Sequence, residues 1–421
     1  MKKQYSKPEG KLGLSSLLSD WASKYHNQCL TNFNKVGIPS SRAEYWRFVP
    51  PKLWDNSCLV DTGNSELSSD PVITHDNRPD FYIDFIDGVL DQTSLKNLNE
   101  KLIGSEISGF ENAVFDNDHW AKDYIGKAEI NARKPYERPY ALLNGSEVSQ
   151  GLFLYCEKSP RQPLHIFYSG EGNSSASIRH LIKIAKGAEL HIIEHFSGGV
   201  KYNIVMEGFL EDEAILNHNR LINGSLKNPI ITHFFIECMS SSVVKTVGIN
   251  LSSTAVRNET FLNLNGSGCV VTVAGLGIGS SKNSICDNTV FILHRGHGSK
   301  SRQIIKNVLS KGSKGVFQGK IFVESDAQKT DGYQMSNGLL LDEESDFLVK
   351  PELEIYADDV VCSHGSISGS IDKEHLFYLR SRGIAEKIAQ KILIEAYLEE
   401  VIMEIEDLQF SQLVRDEIQE V

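Results

Sequence analysis

Cysteine is scarce and scattered in this chain of 421 residues. Its seven cysteines contain no Cys-x-x-Cys, and no two lie closer than Cys269 and Cys286. That excludes a disulfide framework or a zinc knuckle and fits a reducing compartment. Proline is nearly missing from the middle of the chain, where only Pro229 stands between Pro163 and Pro351. A strand paired on both sides has no place for a residue without an N–H, so this poverty suits a large sheet. Positive charge is the minority, with 43 Lys and Arg against 55 Asp and Glu and a formal net charge of −12. Nucleic acid or an anionic membrane as the main partner would need a basic face, so neither is expected. No run approaches the ~18 apolar residues of a membrane helix. The N-terminus MKKQYSKPEGKLGL is basic but has no apolar stretch behind it, so no secretory signal is read and the cytoplasm is the expected location.

Familiar catalytic patterns are also missing. GSKGVFQGK (residues 312–320) resembles a phosphate loop only superficially. A P-loop needs four residues between its glycines and a hydroxyl after its lysine. Here three residues separate Gly315 from Gly319, and Ile321 follows Lys320, so no ATP binding is expected. Gly275, Gly277 and Gly279 lack dinucleotide-fingerprint spacing and a following helix. Both glycine groups read as turns between strands. His294 and His297 fall on opposite faces of a strand unless the chain turns at Gly296, and His191 and His195 share a face but lack a third ligand. There is no Gly-x-Ser-x-Gly and no His-Glu-x-x-His.

What is present falls into three regions: 1–140 helix-rich, 141–371 a β-rich core, and 372–421 helical. Residues 11–35 read as an amphipathic helix carrying Leu14, Leu17, Leu18, Trp21 and Tyr25 on one stripe, ended by Gly37 and Pro39. Residues 55–80 are turn-rich and read as a linker; 81–85 reads as a strand and 95–102 as a short helix. Residues 111–140 look helical until Pro135 and Pro139. From Gly151 short apolar runs alternate with turn residues, at 152–155, 181–184, 190–193, 230–235, 243–249, 270–273, 289–293, 316–323 and 339–341. Nothing between them is periodic enough for crossover helices, so this is an all-β region, a sandwich, barrel or β-helix. After Gly383 a helix carries Ile384, Ile388, Ile392, Ala396, Tyr397, Val401 and Ile405 on one stripe. Its acidic tail, Glu395 to Glu420, faces only Arg415 within the segment and reads as a solvated face.

The chemistry concentrates in PELEIYADDVVCSHGSISGSIDKEHLFYLRSRGI, residues 351–384. Cys362 and His364 sit at i and i+2, on one face of an extended segment. A thiolate and an imidazole there can share a soft metal or an iron–sulfur species, but two donors do not close a four-ligand site. The plainer reading is a buried cysteine beside a hydrogen-bonded histidine. Asp372 is placed to cap a helix through Leu376, Phe377 and Leu379, which Gly383 would stop.

This stretch resembles the C-terminal signature of the SufB/SufD family, scaffold proteins of the SUF iron–sulfur cluster assembly system. Pro351, Leu353, Glu354, Ala357 to Val360, Cys362, Ser363, His364, Gly365, Gly369 and Phe377 to Ile384 carry the match. The Cys-Ser-His-Gly form is the SufD version. The likeness extends upstream through Gly315, Phe317, Gly319, Ala327 to Asp331, Gln334 and Asn337, and thinly to Glu44, Trp46 and Arg47. Trp46 itself reads as an anchor for a helix on its neighbour. SufB-type chains carry a cysteine near the Thr330-Asp331 position, which this sequence lacks.

The resemblance implies a mainly β fold: a right-handed parallel β-helix core with a helix-rich N-terminal domain and a C-terminal helical segment. It implies a SufD-like scaffold that is not an enzyme, works with a SufB-like scaffold subunit and a SufC-like ATPase, and leaves a homodimer open in isolation. His364, with Cys362, would contribute to a transient iron–sulfur cluster shared with the paired subunit. Phe377, Tyr378, Leu379, Arg380, Arg382 and Gly383 would dock the ATPase. Two other classes stand beside this reading. A carbohydrate-active β-helix enzyme would need carboxylates about 5–9.5 Å apart across a cleft, whereas Asp358 and Asp359 are adjacent and point apart in a strand. A purely structural partner subunit would use neither Cys362 nor His364.

Overall fold

The structure is a computed structural model describing residues 18–54, 78–132, 136–171, 174–223, 226, 228–252 and 254–420. Helix α1 (Asp20–Val36) buries Ala22, Tyr25, Cys29 and Phe33 and ends at Gly37, whose φ is 70°. This is the helix read over 11–35; Leu14 and Leu17, like most of the expected linker, lie outside the described residues. A hairpin of β1 (Tyr82–Ile86) and β2 (Val89–Leu90) leads to α2 (Gln92–Lys101), whose N-cap Asp91 accepts from the backbone N–H groups of Thr93 and Ser94. Next come β3 (Ser105–Gly109), α3 (Phe110–Ala113), α4 (Lys127–Asn131) and α5 (Pro139–Glu147). So 111–140 is not one helix but short pieces, and Pro139 opens α5 at its first turn, where its missing N–H costs nothing.

Strands then follow one another without intervening helices. They are β4 (Leu152–Cys156), β5 (Leu164–Ser169), β6 (Ser175–Ile184), β7 (Glu189–Phe196), β8 (Lys201–Leu210), β9 (Ile215–Ile222), β10 (Ile230–Cys238) and β11 (Val243–Asn250). The series continues with β12 (Ala255–Leu264), β13 (Val270–Gly279), β14 (Ile285–His294), β15 (Lys300–Leu309), β16 (Lys314–Val323), β17 (Asp331–Leu340), β18 (Asp346–Ile355) and β19 (Val361–Gly369). Successive strands alternate between two sheets. Odd-numbered strands from β5 to β19 pair in parallel, as do even-numbered strands from β4 to β18. The result is a parallel β-solenoid of about seven turns. β1 and β3, from the helix-rich region, complete the two sheets at the N-terminal end.

One solenoid edge is held by a ladder of turns. Gly187, Glu213, Ser241, Gly268, Gly298 and Lys329 each have positive φ. Each donates its N–H, over 2.6–3.0 Å, to the carbonyl of Asp212, Ser240, Ser267, His297, Gln328 or Asp359 in the next turn. The glycines of β13 behave differently: they lie within the strand, not in a turn. A Cβ on Gly277 would sit 2.5 Å from Asn307 Oδ1 and 2.9 Å from Cys286 Sγ, so glycine admits side chains of neighbouring turns. Gly315 and Gly319 likewise belong to β16.

Both outer faces are covered. α1, α5 and the short helices pack on the even-numbered sheet, with Trp46, Trp54 and Tyr140 beside Phe235, Phe261 and Phe291. Two helices at the C-terminus, introduced below, cover the odd-numbered sheet. Many strands are therefore buried on both faces, as β10 is at every position. That hides polar strands from a search for apolar runs. Their charges sit in closed networks. On the outer face, Arg179 contacts Glu207 at 2.6 Å and Glu129 at 2.7 Å, and Arg257 pairs with Glu259 and Asp287. On the inner face, Glu194 takes Arg220 at 2.6 Å and His218 at 2.8 Å. Burial alone would raise the Glu194 carboxyl; Arg220 and His218 overcome that and hold it well below the usual carboxylate range.

Candidate functional site

Among the described residues nothing caps the last turn of the solenoid. β19 forms the edge of the odd-numbered sheet and β18 the edge of the even-numbered one. Most of β19 is exposed, with Val361 at 73% and Ile367 at 59%. Such an edge offers unpaired backbone groups to another chain. Cys362 and His364 share one face, as their spacing requires. That face is the solenoid interior, because Cys362 packs against the cluster of Ile321, Val323, Ala327 and Ala357. Cys362 is half-buried and His364 exposed. Burial raises the Cys362 thiol above its ordinary value, partly offset by a backbone hydrogen bond from Gly332. A Cβ on Gly332, its register partner, would lie 3.2 Å from Cys362 Sγ, so glycine makes room for the thiol.

The N-terminal region straps the other edge. Tyr45 donates its hydroxyl to Glu352 at 3.0 Å, and Lys350 reaches Glu44 at 2.6 Å. Trp46 is buried, with the Arg257 guanidinium 4.0 Å over its ring. Trp46 thus anchors a helical turn on its neighbour, as read from the sequence.

Beyond the last strand stands α6 (Lys373–Ser381). Asp372 caps it, accepting from the N–H groups of Glu374 and His375, and Gly383 ends it with φ 86°. α6 buries none of its residues; Phe377 is 74% and Tyr378 56% exposed. Arg382 lies over the Tyr378 ring at 5.1 Å, and Arg380 pairs with Glu386 at 3.3 Å. Helix α7 (Glu386–Ile402) begins in the same manner, with Ile388 57% exposed. Its second half differs. Leu398, Val401 and Ile402, then Ile405, pack on the odd-numbered sheet together with Phe410, Val414 and Ile418 from α8 (Leu408–Glu420). The single stripe read from the sequence is thus split between a free half and a buried half. The acidic tail is no simple solvated face either: Lys245 binds Glu404 and Glu406, and Lys306 binds Glu400.

Among the described residues no three His, Cys, Asp or Glu side chains come together as a metal site. Cys362 and His364 together are two side chains, fewer than the four donors that close a metal site. The other histidine pairs come apart. His191 contacts Asn219, His195 contacts His165 across 3.0 Å, and His294 contacts Ser301. Thr330, at the position of the missing cysteine, bonds Ala327. Sequence reasoning missed the Tyr45–Glu352 strap and an interior column of amides below His364, because both join residues far apart along the chain.

The described residues include no helix long and apolar enough to cross a membrane. A profile described as "SUF system FeS cluster assembly, SufBD core domain" matches residues 167–397, more than half of the chain. The chain is similar to the iron–sulfur cluster assembly protein SufD of Escherichia coli, 29% identical over 92% of this chain and 90% of that protein. It is also similar to the SufD protein of Bacillus subtilis, at 26% over 64% of this chain and 63% of that protein. A SufBD family protein of Pyrococcus horikoshii is 26% identical over 63% of this chain and 59% of its own length. A parallel solenoid, the Cys-Ser-His-Gly edge and the matched profile agree: the chain belongs to the SufBD family of SUF-system iron–sulfur cluster assembly proteins and is SufD-like.

Proposed function

We propose that this chain is a scaffold, not a catalyst, whose last solenoid turn completes a cluster-building site with a SufB-like subunit. The supporting observation is the exposed strand β19, which presents His364 and Cys362 at an open sheet edge. Iron and sulfide are the substrate. Neutral imidazole ligates iron more weakly than thiolate, which suits a cluster that must be passed on. The partner supplies the remaining donors. In isolation the same edge can pair with a second copy.

The second contact is α6 with the first half of α7, which docks a SufC-like ATPase. Phe377, Tyr378, Leu379, Arg380 and Arg382 provide the aromatic and arginine side chains that dominate interface energetics, and Gly383 turns the chain between the helices. ATP is hydrolysed by that partner, since this chain's glycine-rich stretch is strand and lacks phosphate-loop spacing. In this reading 1–140 is the helix-rich domain, 141–371 the β-helix core and 372–421 the docking segment, with its outer part in contact with the partner.

The test is co-expression with SufB-like and SufC-like chains and anaerobic purification. His364→Ala should leave complex stoichiometry and the melting point of the isolated chain intact, while iron and acid-labile sulfide in the complex fall. Cys362→Ala should give a similar or smaller loss. Unchanged cluster content in a normally assembled His364→Ala complex would leave a purely structural subunit.

A further inference from the structure

Directly below His364, the solenoid interior holds two amides that have no hydrogen-bond partner among the described residues. Cross-strand register runs Val273, Gln303, Gln334, His364 on successive turns of the odd-numbered sheet. Neighbouring strands are about 4.8 Å apart, so these side chains stack one above another. All point inward. Gln334 shares the face of Gly332, where a Cβ would meet the inward Ile321 side chain; His364 shares that of Cys362. Gln303 reaches the opposite sheet, where a Cβ on Gly319 would lie 2.9 Å from its Oε1. Gln303 is 0% and Gln334 1% exposed. Both atoms of both amides, Nε2 and Oε1, lack a hydrogen-bond partner among the described residues.

An amide can donate two hydrogen bonds and accept two. Leaving two such groups buried and unbonded is costly, and native proteins satisfy them with other groups or with ordered water. The polar stretch has bounds. Val273 closes it toward the N-terminal end, Phe317 stands beside it, and His364 lies at its open end. We propose that Gln303 and Gln334 hold water-sized hydrogen-bonding ligands inside the last turns of the solenoid, and that Gln334 acts through them as a positioning residue for the His364 imidazole. The bound molecules fix which ring nitrogen faces inward, which leaves the other for iron. This positioning role deepens the reading of His364 given above and rests on it; the water sites do not.

The test uses the full-length chain, with water itself as the probe. In isotope-labelled protein, magnetisation transfer from long-lived water to the Gln303 and Gln334 side-chain amides is measured, together with the ring-nitrogen shifts of His364. Wild type should show bound water at both amides. Gln303→Leu and Gln334→Leu should each lose the signal at the altered site. Gln334→Leu should also shift the tautomer ratio of His364. Two results would overturn the proposal: wild-type amides bonded only to each other, or a His364 tautomer ratio unchanged by Gln334→Leu. Iron retention by the assembled complex is a separate readout. If His364→Ala retains its iron, the ligand reading fails while the water signals remain.

Discussion

Leu398→Ala and Phe377→Ala should behave in opposite ways, though both remove apolar side chains from the C-terminal segment. Leu398 is 0% exposed and packs, with Val401, Phe410 and Val414, against Val247, Leu276 and Ile304 of the odd-numbered sheet. A Leu→Ala change at such a site costs about 2–5 kcal/mol, the loss of transfer free energy plus a cavity that relaxes only partly. Taking ~3 kcal/mol, and roughly 2–4 °C per kcal/mol for domains of 150–250 residues, this longer chain should lose about 6 °C. The solenoid couples mainly to its nearest neighbours, so the loss should appear as an early, separate phase of unfolding. Phe377 is 74% exposed, and its truncation should stay within about 0.5 kcal/mol of wild type. The assays are thermal melts by circular dichroism and co-purification with the ATPase. Phe377→Ala should melt normally and bind poorly; Leu398→Ala should melt early. Equal melting losses in the two variants, or none in Leu398→Ala, would refute the division of this segment into docking and structural halves. The same reasoning predicts that truncation before Asp372 uncovers an apolar sheet face and lowers solubility, since it removes Leu398, Val401, Phe410, Val414 and Ile418 together.

Further outcomes follow from the buried charges and the glycine-rich strand. Arg179→Met should strand Glu207 and Glu129 without their cation and cost about 3–5 kcal/mol, read as a lowered denaturant midpoint; an unchanged midpoint would mean that the network is not what joins the helices to the even-numbered sheet. Stability should fall between pH 7 and pH 5. Burial pushes His165, His180 and His294 down to about 4, while unfolded histidine titrates near 6.5, so below that value the unfolded chain binds protons the folded chain refuses. Asp287, pushed up to about 6 chiefly by burial, works the other way, losing its contribution as pH rises through that value. His294→Gln should flatten the fall on the acid side, and an identical pH profile would exclude His294 as a contributor. The purified chain should neither hydrolyse nor tightly bind ATP; saturable activity surviving removal of trace ATPases would contradict the strand assignment of Gly315 and Gly319.

Local signals determined a good part of this protein. Asp372 and Gly383 bracket a helix because a capping carboxylate and a positive φ act within one turn of chain. Cys362 and His364 share a face because strand geometry has a period of two. Scarce proline predicted strands paired on both sides, and they are. Strand boundaries were less legible. β9 and β15 carry Asn219, Arg220, Gln303 and Asn307, and nothing within ten residues announces that such side chains will be buried. Their partners arrive a full solenoid turn away, as Arg220 meets Glu194 and Arg257 meets Asp287. The same holds at the site. The signature located the open edge, but only the register of stacked turns places Gln334 and Gln303 beneath His364. Only the packing of α7 and α8 divides an apolar stripe into a buried half and a free one. Local sequence determines what a few consecutive residues can do; which of them meet is decided by backbone pairing across about thirty residues of intervening chain.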